Sequence, residues 1–208
     1  ERAPGVVSYT ASSVIGPQRG GDPRATDLQL PPLESAALAG IAEKLGLRSP
    51  GKDAAVSALK AFFAEGYRYS TFRSERVATG NAISDFLVNS RSGHCEYFAT
   101  ATVLLARAAG IPARYATGFS VQEFSEIERR YIVRERHAHA WTRLYLDGAW
   151  HDVDTTPPQW FAAEAQRAPL WEPFTDLGSW IAFRVAEWRA RPADEGSALA
   201  WTALLVLL

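Results

Sequence analysis

The stretch that most constrains what this chain can fold into runs over residues 91–119. Its apolar positions Phe98, Ala101, Leu105 and Ala109 recur at helical spacing, and Gly110 followed by Pro112 reads as a cap and a stop, so a helix is predicted over residues 95–109. A strand, residues 113–120, follows at once. The only cysteine, Cys95, lies where a Gly-containing loop gives way to that helix. In a first helical turn the unpaired backbone N–H groups and the positive end of the helix dipole favour a thiolate over a thiol. Position alone leaves the plainer reading open, since free cysteine commonly behaves as a small core hydrophobe.

A chain of 208 residues suffices for one well-buried domain with extensions and argues against two full domains. With 47% hydrophobic and 22% charged residues it reads as globular. The net charge of −1 supplies no electrostatic footprint for nucleic acid, and no basic run suggests an anionic membrane surface. A single cysteine excludes an intramolecular disulfide and therefore does not separate a reducing from an oxidising compartment. The absence of Met and the start at Glu1 lead us to expect an excerpt of a longer protein.

Residues 1–32, rich in Gly, Pro, Ser and Arg, read as an extended arm or linker. Helices follow on the faces Ala37, Leu38, Ile41, Leu45 and Val56, Leu59, Phe63, the second spanning residues 53–65 and closed by Gly66. Residues 67–72 read as extended and 73–80 as polar loop, and a brief helix over 81–88 delivers the Cys95 loop. Residues 123–130 are predicted as charged loop, 131–135 as strand, and 157–170 as irregular. A helical pattern over 174–191 carries Ile181, Val185 and Trp188 on one side. Residues 196–208 carry no charge but are too few to cross a membrane, which needs about 20 apolar residues.

Residues 138–146 and 149–154 flank Asp147-Gly148, the dipeptide preferred in two-residue type I′ hairpin turns, so they are predicted as antiparallel neighbours. If Leu146 pairs with Ala149, Trp141 faces Asp154 and Arg143 faces Asp152. His139 and Asp154 then become diagonal neighbours on one sheet face, about 7–8 Å apart at the backbone and within side-chain reach. A slip of one residue would put them on opposite faces.

Cys95 at a helix start, His139 on a strand and Asp154 on its hairpin partner supply a nucleophile, a base and an orienting acid, the combination that acyl transfer needs. The backbone N–H of Cys95 would point at the developing oxyanion. His137 shares the strand face of His139, and a His-x-His pair with a nearby Asp or Cys is one way to bind zinc, but a closed site wants four ligands. We expect no metal and no cofactor, and no calcium-loop pattern is present. His94 and His151 read as surface or packing residues. Tyr67, Tyr69, Tyr97, Trp141 and Trp150 are read first as packing, with Trp141 as a candidate shield on the His139 imidazole. Arg143 and Asp152 read as a cross-strand ion pair.

Four stretches in order, Gly93-His94-Cys95-Glu96-Tyr97-Phe98-Ala99, Arg107-Ala108-Ala109-Gly110-Ile111-Pro112-Ala113-Arg114-Tyr115 with Gly118-Phe119, Ala138-His139-Ala140-Trp141, and Val153-Asp154-Thr155-Thr156-Pro157, together resemble the transglutaminase-like superfamily. The resemblance covers residues 50–160 and implies a papain-like α+β fold. In that fold a helical N-terminal half carries the nucleophile at a helix N-terminus, packed on an antiparallel sheet, with Cys95, His139 and Asp154 as catalytic triad. The usual Asp-Pro-Thr or Asp-Ala-Thr is Asp154-Thr155-Thr156-Pro157 here, which keeps the acid. The Leu30-Pro31-Pro32 lead-in and the Trp-rich tail resemble bacterial membrane proteins of the TgpA type. That resemblance implies an extracytoplasmic, periplasmic domain of an inner-membrane protein. Residues 33–170 would then be the catalytic domain, and 171–208 a helix leading into a truncated membrane segment. The expected activity is cysteine-dependent acyl transfer on an amide of a peptide, protein or cell-wall peptide, with an amine or water as acceptor. The alternative is a non-catalytic binding domain that has kept the fold.

Overall fold

The computed structural model describes residues 8–12, 20–32, 34–48, 51–71, 82–126, 129–166, 177–178, 180–181 and 183–185. The chain divides into two compact units, residues 14–167 and, together, residues 1–13 and 168–208. In the second unit the described residues 177–178, 180–181 and 183–185 are helical, within the span predicted for a helix. Trp188 and the uncharged 196–208 tail lie outside the described residues. No helix among the described residues is long and apolar enough to cross a membrane.

The larger unit opens with a 3-10 turn, Ala25–Leu28, followed by α1 (Ser35–Lys44) and α2 (Lys52–Ala64). Leu38 on α1 and Leu59 and Phe63 on α2 are the buried members of the two predicted faces, and Ala42 and Ala55 are buried beside them. Gly66, at φ +95°, turns the chain out of α2 in a conformation that few other residues adopt. It enters β1 (Arg68–Tyr69). Then α3 (Ala82–Asp85) runs into one π-helical turn, Phe86–Ser90, which Arg91 closes in the left-handed region at φ 47°. A two-residue strand, β2 (Ser92–Gly93), lies parallel to β1 and leads into the central helix α4 (Cys95–Ala108).

Around the start of α4 the rings of Phe63, Tyr67, Phe86 and Phe98 pack at centroid separations of 5.0 to 6.4 Å. Edge-to-face and offset pairs of this kind contribute about 0.5–1.5 kcal/mol each beyond area burial. They fix the floor beneath the Cys95 loop, and the Tyr67 hydroxyl, which would otherwise be a buried donor without a partner, donates to the Leu87 carbonyl at 2.8 Å.

After α4 the chain forms β3 (Ala113–Phe119), the hairpin β4 (Glu123–Ser125) and β5 (Arg130–Ile132), a 3-10 turn Glu135–His137, then β6 (Ala138–Leu146) and β7 (Ala149–Val153). The main sheet is antiparallel in the order β3-β6-β7. Its hairpin register agrees with that predicted from the turn: Leu146 pairs with Ala149, Arg143 with Asp152 and Thr142 with Val153. Asp147, at φ 51°, and Gly148, at φ 76°, supply the two positive dihedrals that a type I′ turn requires. α4 lies across the face bearing Ala140, Thr142 and Leu144, and the buried Thr142 hydroxyl donates to the Ala99 carbonyl at 3.0 Å.

Three local expectations change. Residues 123–130 are not all loop, because Phe124 pairs with Tyr131 across the β4–β5 hairpin and their rings meet at 5.2 Å. Arg134 grips Glu123 through two bonds, at 2.9 and 2.6 Å, so the charge that suggested a loop is neutralised in place. The strand expected over 131–135 ends at Ile132, and His137 therefore sits in a 3-10 turn rather than on the strand of His139. Residues 157–170 are not irregular throughout, since α5 (Trp160–Ala165) forms and buries Trp160.

Candidate active site

Cys95 owes its position to both halves of the unit. The Arg68 N–H donates to the Arg91 carbonyl and the Ser70 N–H to the Gly93 carbonyl, each at 2.9 Å, and these bonds peg the loop to the chain that leaves α2. Gly93 leaves little room for a side chain, since a Cβ there would lie 3.0 Å from the Tyr97 ring and press it aside. His94 then caps α4 in an extended conformation, with φ −90° and ψ 179°, and Cys95 becomes the first helical residue. Its thiol is half-buried, near the N–H groups that the helix leaves without intrahelical partners.

His139 and Asp154 meet as the hairpin register predicts: His139 Nε2 lies 2.7 Å from Asp154 Oδ2. The ladder itself stops at Val153, so this contact is made by side chains rather than by a continued strand pair. The other oxygen, Asp154 Oδ1, accepts the Thr156 N–H at 2.9 Å, which holds the carboxylate in a local turn. A buried hydroxyl contact, Thr102 with Thr155 at 2.7 Å, ties the residue following Asp154 to α4. Helix and hairpin are thereby locked in one arrangement.

With Nε2 engaged by Asp154, Nδ1 is the ring atom left to serve Cys95, and it is buried with no hydrogen-bond partner among the described residues. The thiol and the imidazole nevertheless stabilise each other's charged forms. Burial alone would raise the Cys95 pKa. The neighbouring His139, His94 and Ala140 backbone, with the His139 charge, overcome it and lower the pKa from 9.0 to about 6. Burial likewise pushes the His139 pKa down, and the bonds to Asp154 and Cys95 with both charges reverse this, raising it from 6.5 to about 9. Asp154 resists burial too, and the His139 bond holds its carboxyl below the ordinary value. The arrangement favours a thiolate beside an imidazolium at neutral pH.

Two neighbours escaped the reading of the sequence. Trp160, from the helix not expected in that stretch, stacks on the His139 ring at a centroid distance of 4.1 Å and an interplanar angle of 10°. Trp141, the expected shield, is also near parallel to the imidazole, but at 6.5 Å. It lies over Gly118, where a Cβ would come within 2.9 Å of its ring, and its indole N–H donates to Asp152 at 3.0 Å. Asp152 also pairs with Arg143 at 3.2 Å, the ion pair expected from the register. α5 is itself braced, because the Tyr69 hydroxyl donates to Glu164 at 2.6 Å. The second missed neighbour is His94, expected as a surface or packing residue, which helps lower the Cys95 pKa and sets its ring against Tyr97 at 5.0 Å. Its place directly before the cysteine was the available signal.

The other candidates have structural tasks. Trp150 is buried, donates to the Gly21 carbonyl at 2.7 Å and carries the Arg114 guanidinium on its face at 3.9 Å. Arg114 in turn holds Asp27 through bonds of 3.0 and 2.8 Å, which anchors the 3-10 turn near the chain start. His151 meets the Leu146 carbonyl at 3.1 Å. His137 lies 3.6 Å from Glu123, turned to a different carboxylate from the one that holds His139. Among the described residues no three His, Cys, Asp or Glu side chains are grouped to hold a metal.

The chain is similar to known proteins in sequence and fold. The chain is 34% identical over 140 residues to a protein-glutamine gamma-glutamyltransferase of Pseudomonas aeruginosa, a match covering 65% of this chain and 20% of that protein. It is 34% identical over 89 residues to the uncharacterized protein YebA of Bacillus subtilis, covering 40% of this chain and 12% of that protein. The crystal structure of the periplasmic domain of TgpA from Pseudomonas aeruginosa superposes with a TM-score of 0.57 at 32% identity, over 66% of this chain and 47% of that one. The chain thus spans about a fifth or less of the curated relatives and about half of the solved domain. Residues 39–155, more than half of the chain, match the transglutaminase-like superfamily, and the chain belongs to that family.

Proposed function

We propose that this domain is a cysteine acyl-transfer enzyme in which Cys95 is the nucleophile, His139 the general base and acid, and Asp154 the group that orients the imidazole. The observation that carries the reading is the His139–Asp154 bond beside a cysteine at a helix start whose thiol pKa the imidazole lowers. The Cys95 thiolate attacks an amide carbonyl, and the negative charge that develops on oxygen is met by the N–H groups of the first turn of α4. The C–N bond then breaks, His139 gives its proton to the departing nitrogen, and a thioester remains on Cys95. Neutral His139 next takes a proton from the incoming amine or water, which releases the acyl group and restores the thiolate.

The acyl donor is an amide of a peptide, protein or cell-wall peptide, and the name of the Pseudomonas aeruginosa relative favours a glutamine side chain. The TgpA likeness supports an extracytoplasmic site of action, with anchoring to the inner membrane through flanking segments. The test is acid quench and intact mass after mixing with glutamine-containing peptides and an amine donor. An acyl adduct on Cys95, absent from Cys95→Ala, is expected. Undiminished substrate consumption by Cys95→Ala would refute the nucleophilic role, and a domain that binds peptides yet turns over no amide would favour the non-catalytic alternative.

A further inference from the structure

β3 is an edge strand. In the ladder with β6 the Tyr145 N–H donates to the Pro112 carbonyl and the Ser120 N–H to the His137 carbonyl. Antiparallel pairing alternates, so Arg114, Ala116 and Gly118 turn their main-chain groups towards β6, while Tyr115, Thr117 and Phe119 turn theirs away. Among the described residues, no bond reaches the outward N–H and C=O groups of these three residues. Natural proteins usually cover, charge or bend an exposed edge, because it is a template for another chain. Here the edge is left open, and two of the three outward residues are large aromatics, Tyr115 at 42% and Phe119 at 56% exposed.

This edge adjoins the candidate active site. Thr117 is the ladder partner of Ala140, whose backbone helps lower the Cys95 pKa, and Gly118 is the partner of His139. Tyr115 senses the negative charges of Glu96 and Cys95, which raise its phenol pKa once burial has already done so. Tyr115, Thr117 and Phe119 share the sheet face that α4 covers at Ala113, yet all three are exposed, so this end of β3 continues past the cover of the helix.

We infer that the edge of β3 at Tyr115, Thr117 and Phe119 is the docking site for the substrate chain, which binds extended and adds a strand to the sheet. Main-chain bonds to an edge supply affinity for any extended polypeptide, and the side chains at alternate positions supply selectivity, here for apolar groups set four residues apart against Tyr115 and Phe119. The substrate class that fits is an unfolded or extended segment of an all-L polypeptide. A cell-wall stem that alternates L and D residues fits poorly, since its side chains would fall on one face of a strand instead of alternating. This inference deepens the proposed function and rests on it for the identity of the reacting site.

The probe is a capped all-L hexapeptide with one glutamine among alternating valine and threonine, compared with the same sequence in alternating L and D form and with a version N-methylated on its backbone. The all-L peptide should be consumed with a kcat/KM at least tenfold above either modified peptide, and equal values would overturn the inference. On the protein side, Thr117→Pro removes an outward N–H and leaves the β6 ladder intact, which is the one way an edge strand accepts proline. It should raise KM for the all-L peptide about tenfold, within the range such lost main-chain bonds produce, and leave the rate of Cys95 alkylation unchanged. An unchanged KM in a folded Thr117→Pro domain would overturn the inference, and if that variant does not fold, the modified peptides on the unaltered domain decide. If no amide is consumed at all, the proposed function fails separately from the docking site. Amide hydrogen exchange at Tyr115, Thr117 and Phe119 in Cys95→Ala should still slow on adding the all-L peptide, and no slowing would overturn the edge.

Discussion

The charge state of Cys95 provides the sharpest test of the site, because the chain has one cysteine and every thiol signal comes from it. Unfolding in denaturant is the perturbation, since it removes His139, His94 and the Ala140 backbone from the thiol and returns the pKa from about 6 to the ordinary 9.0. At pH 5 the folded thiol is then about 9% ionised and the unfolded one about 0.01%, a ratio of roughly 900. A thiolate of lower pKa is a weaker nucleophile, and over three units a Brønsted slope of about 0.45 costs a factor of about 20. The folded chain should therefore exchange with a neutral disulfide about 40-fold faster at pH 5, about fourfold faster at pH 7 and about tenfold slower at pH 9. The assay follows the mixed disulfide by intact mass from pH 4 to pH 10 in the two states. The reversal of order near the middle of that range is the signature, and His139→Ala should move the folded inflection upward. A folded inflection at or above the unfolded one would refute the reasoning, because burial, the largest single influence on Cys95, would then have outweighed its partners.

The paired charges exist where Cys95 has lost its proton and His139 has kept its own, so kcat/KM on an active amide should be bell-shaped with limbs near pH 6 and pH 9; a profile still climbing at pH 10 would contradict this. Trp160→Leu should lower kcat about two- to tenfold, the equivalent of one lost aromatic contact, while Trp160→Phe keeps most of the rate; equal kinetics for all three would remove the stacking from the mechanism. Gly93→Ala forces a Cβ against Tyr97 and should destabilise by about 1–3 kcal/mol with slowed Cys95 alkylation, and thermal melting with Tyr97→Ala added should show recovery. Asp27→Asn should cost about 1–2 kcal/mol at neutral pH, measured by denaturant unfolding. Arg114 lowers the Asp27 pKa below its unfolded 3.8, so that stability is present above pH 3.8 and lost as pH falls through the folded value; the Asn variant should show a flatter acid limb, and an unchanged limb would show that the pair contributes nothing.

Some parts of this protein were legible in the linear chain because they are decided by neighbours in sequence. Asp147-Gly148 needs two positive dihedrals whatever surrounds it, and from that turn the pairing of Leu146 with Ala149 and the approach of His139 to Asp154 follow by counting. Gly110 and Pro112 end α4 for equally local reasons, and the period of its apolar residues placed Cys95 at its start. Other parts were decided by contacts between residues far apart. Glu123 looks like loop until Arg134 neutralises it, and α5 is too short to hold together on its own pattern until Tyr69 bonds Glu164 and Trp160 settles on His139. His137 and His139 read as one strand face, and a 3-10 turn that bonds Arg134 N–H to His137 Nδ1 separates them. The sequence by itself determined the helix that bears the thiol and the register that brings imidazole to carboxylate, since each depends on periodicity or turn chemistry, and its motifs carried the fold class through resemblance to a known family. Only the tertiary structure decided which ring covers the imidazole, which side chains share the thiol's charge and which sheet edge stays open beside it, because those depend on where separate elements come to rest.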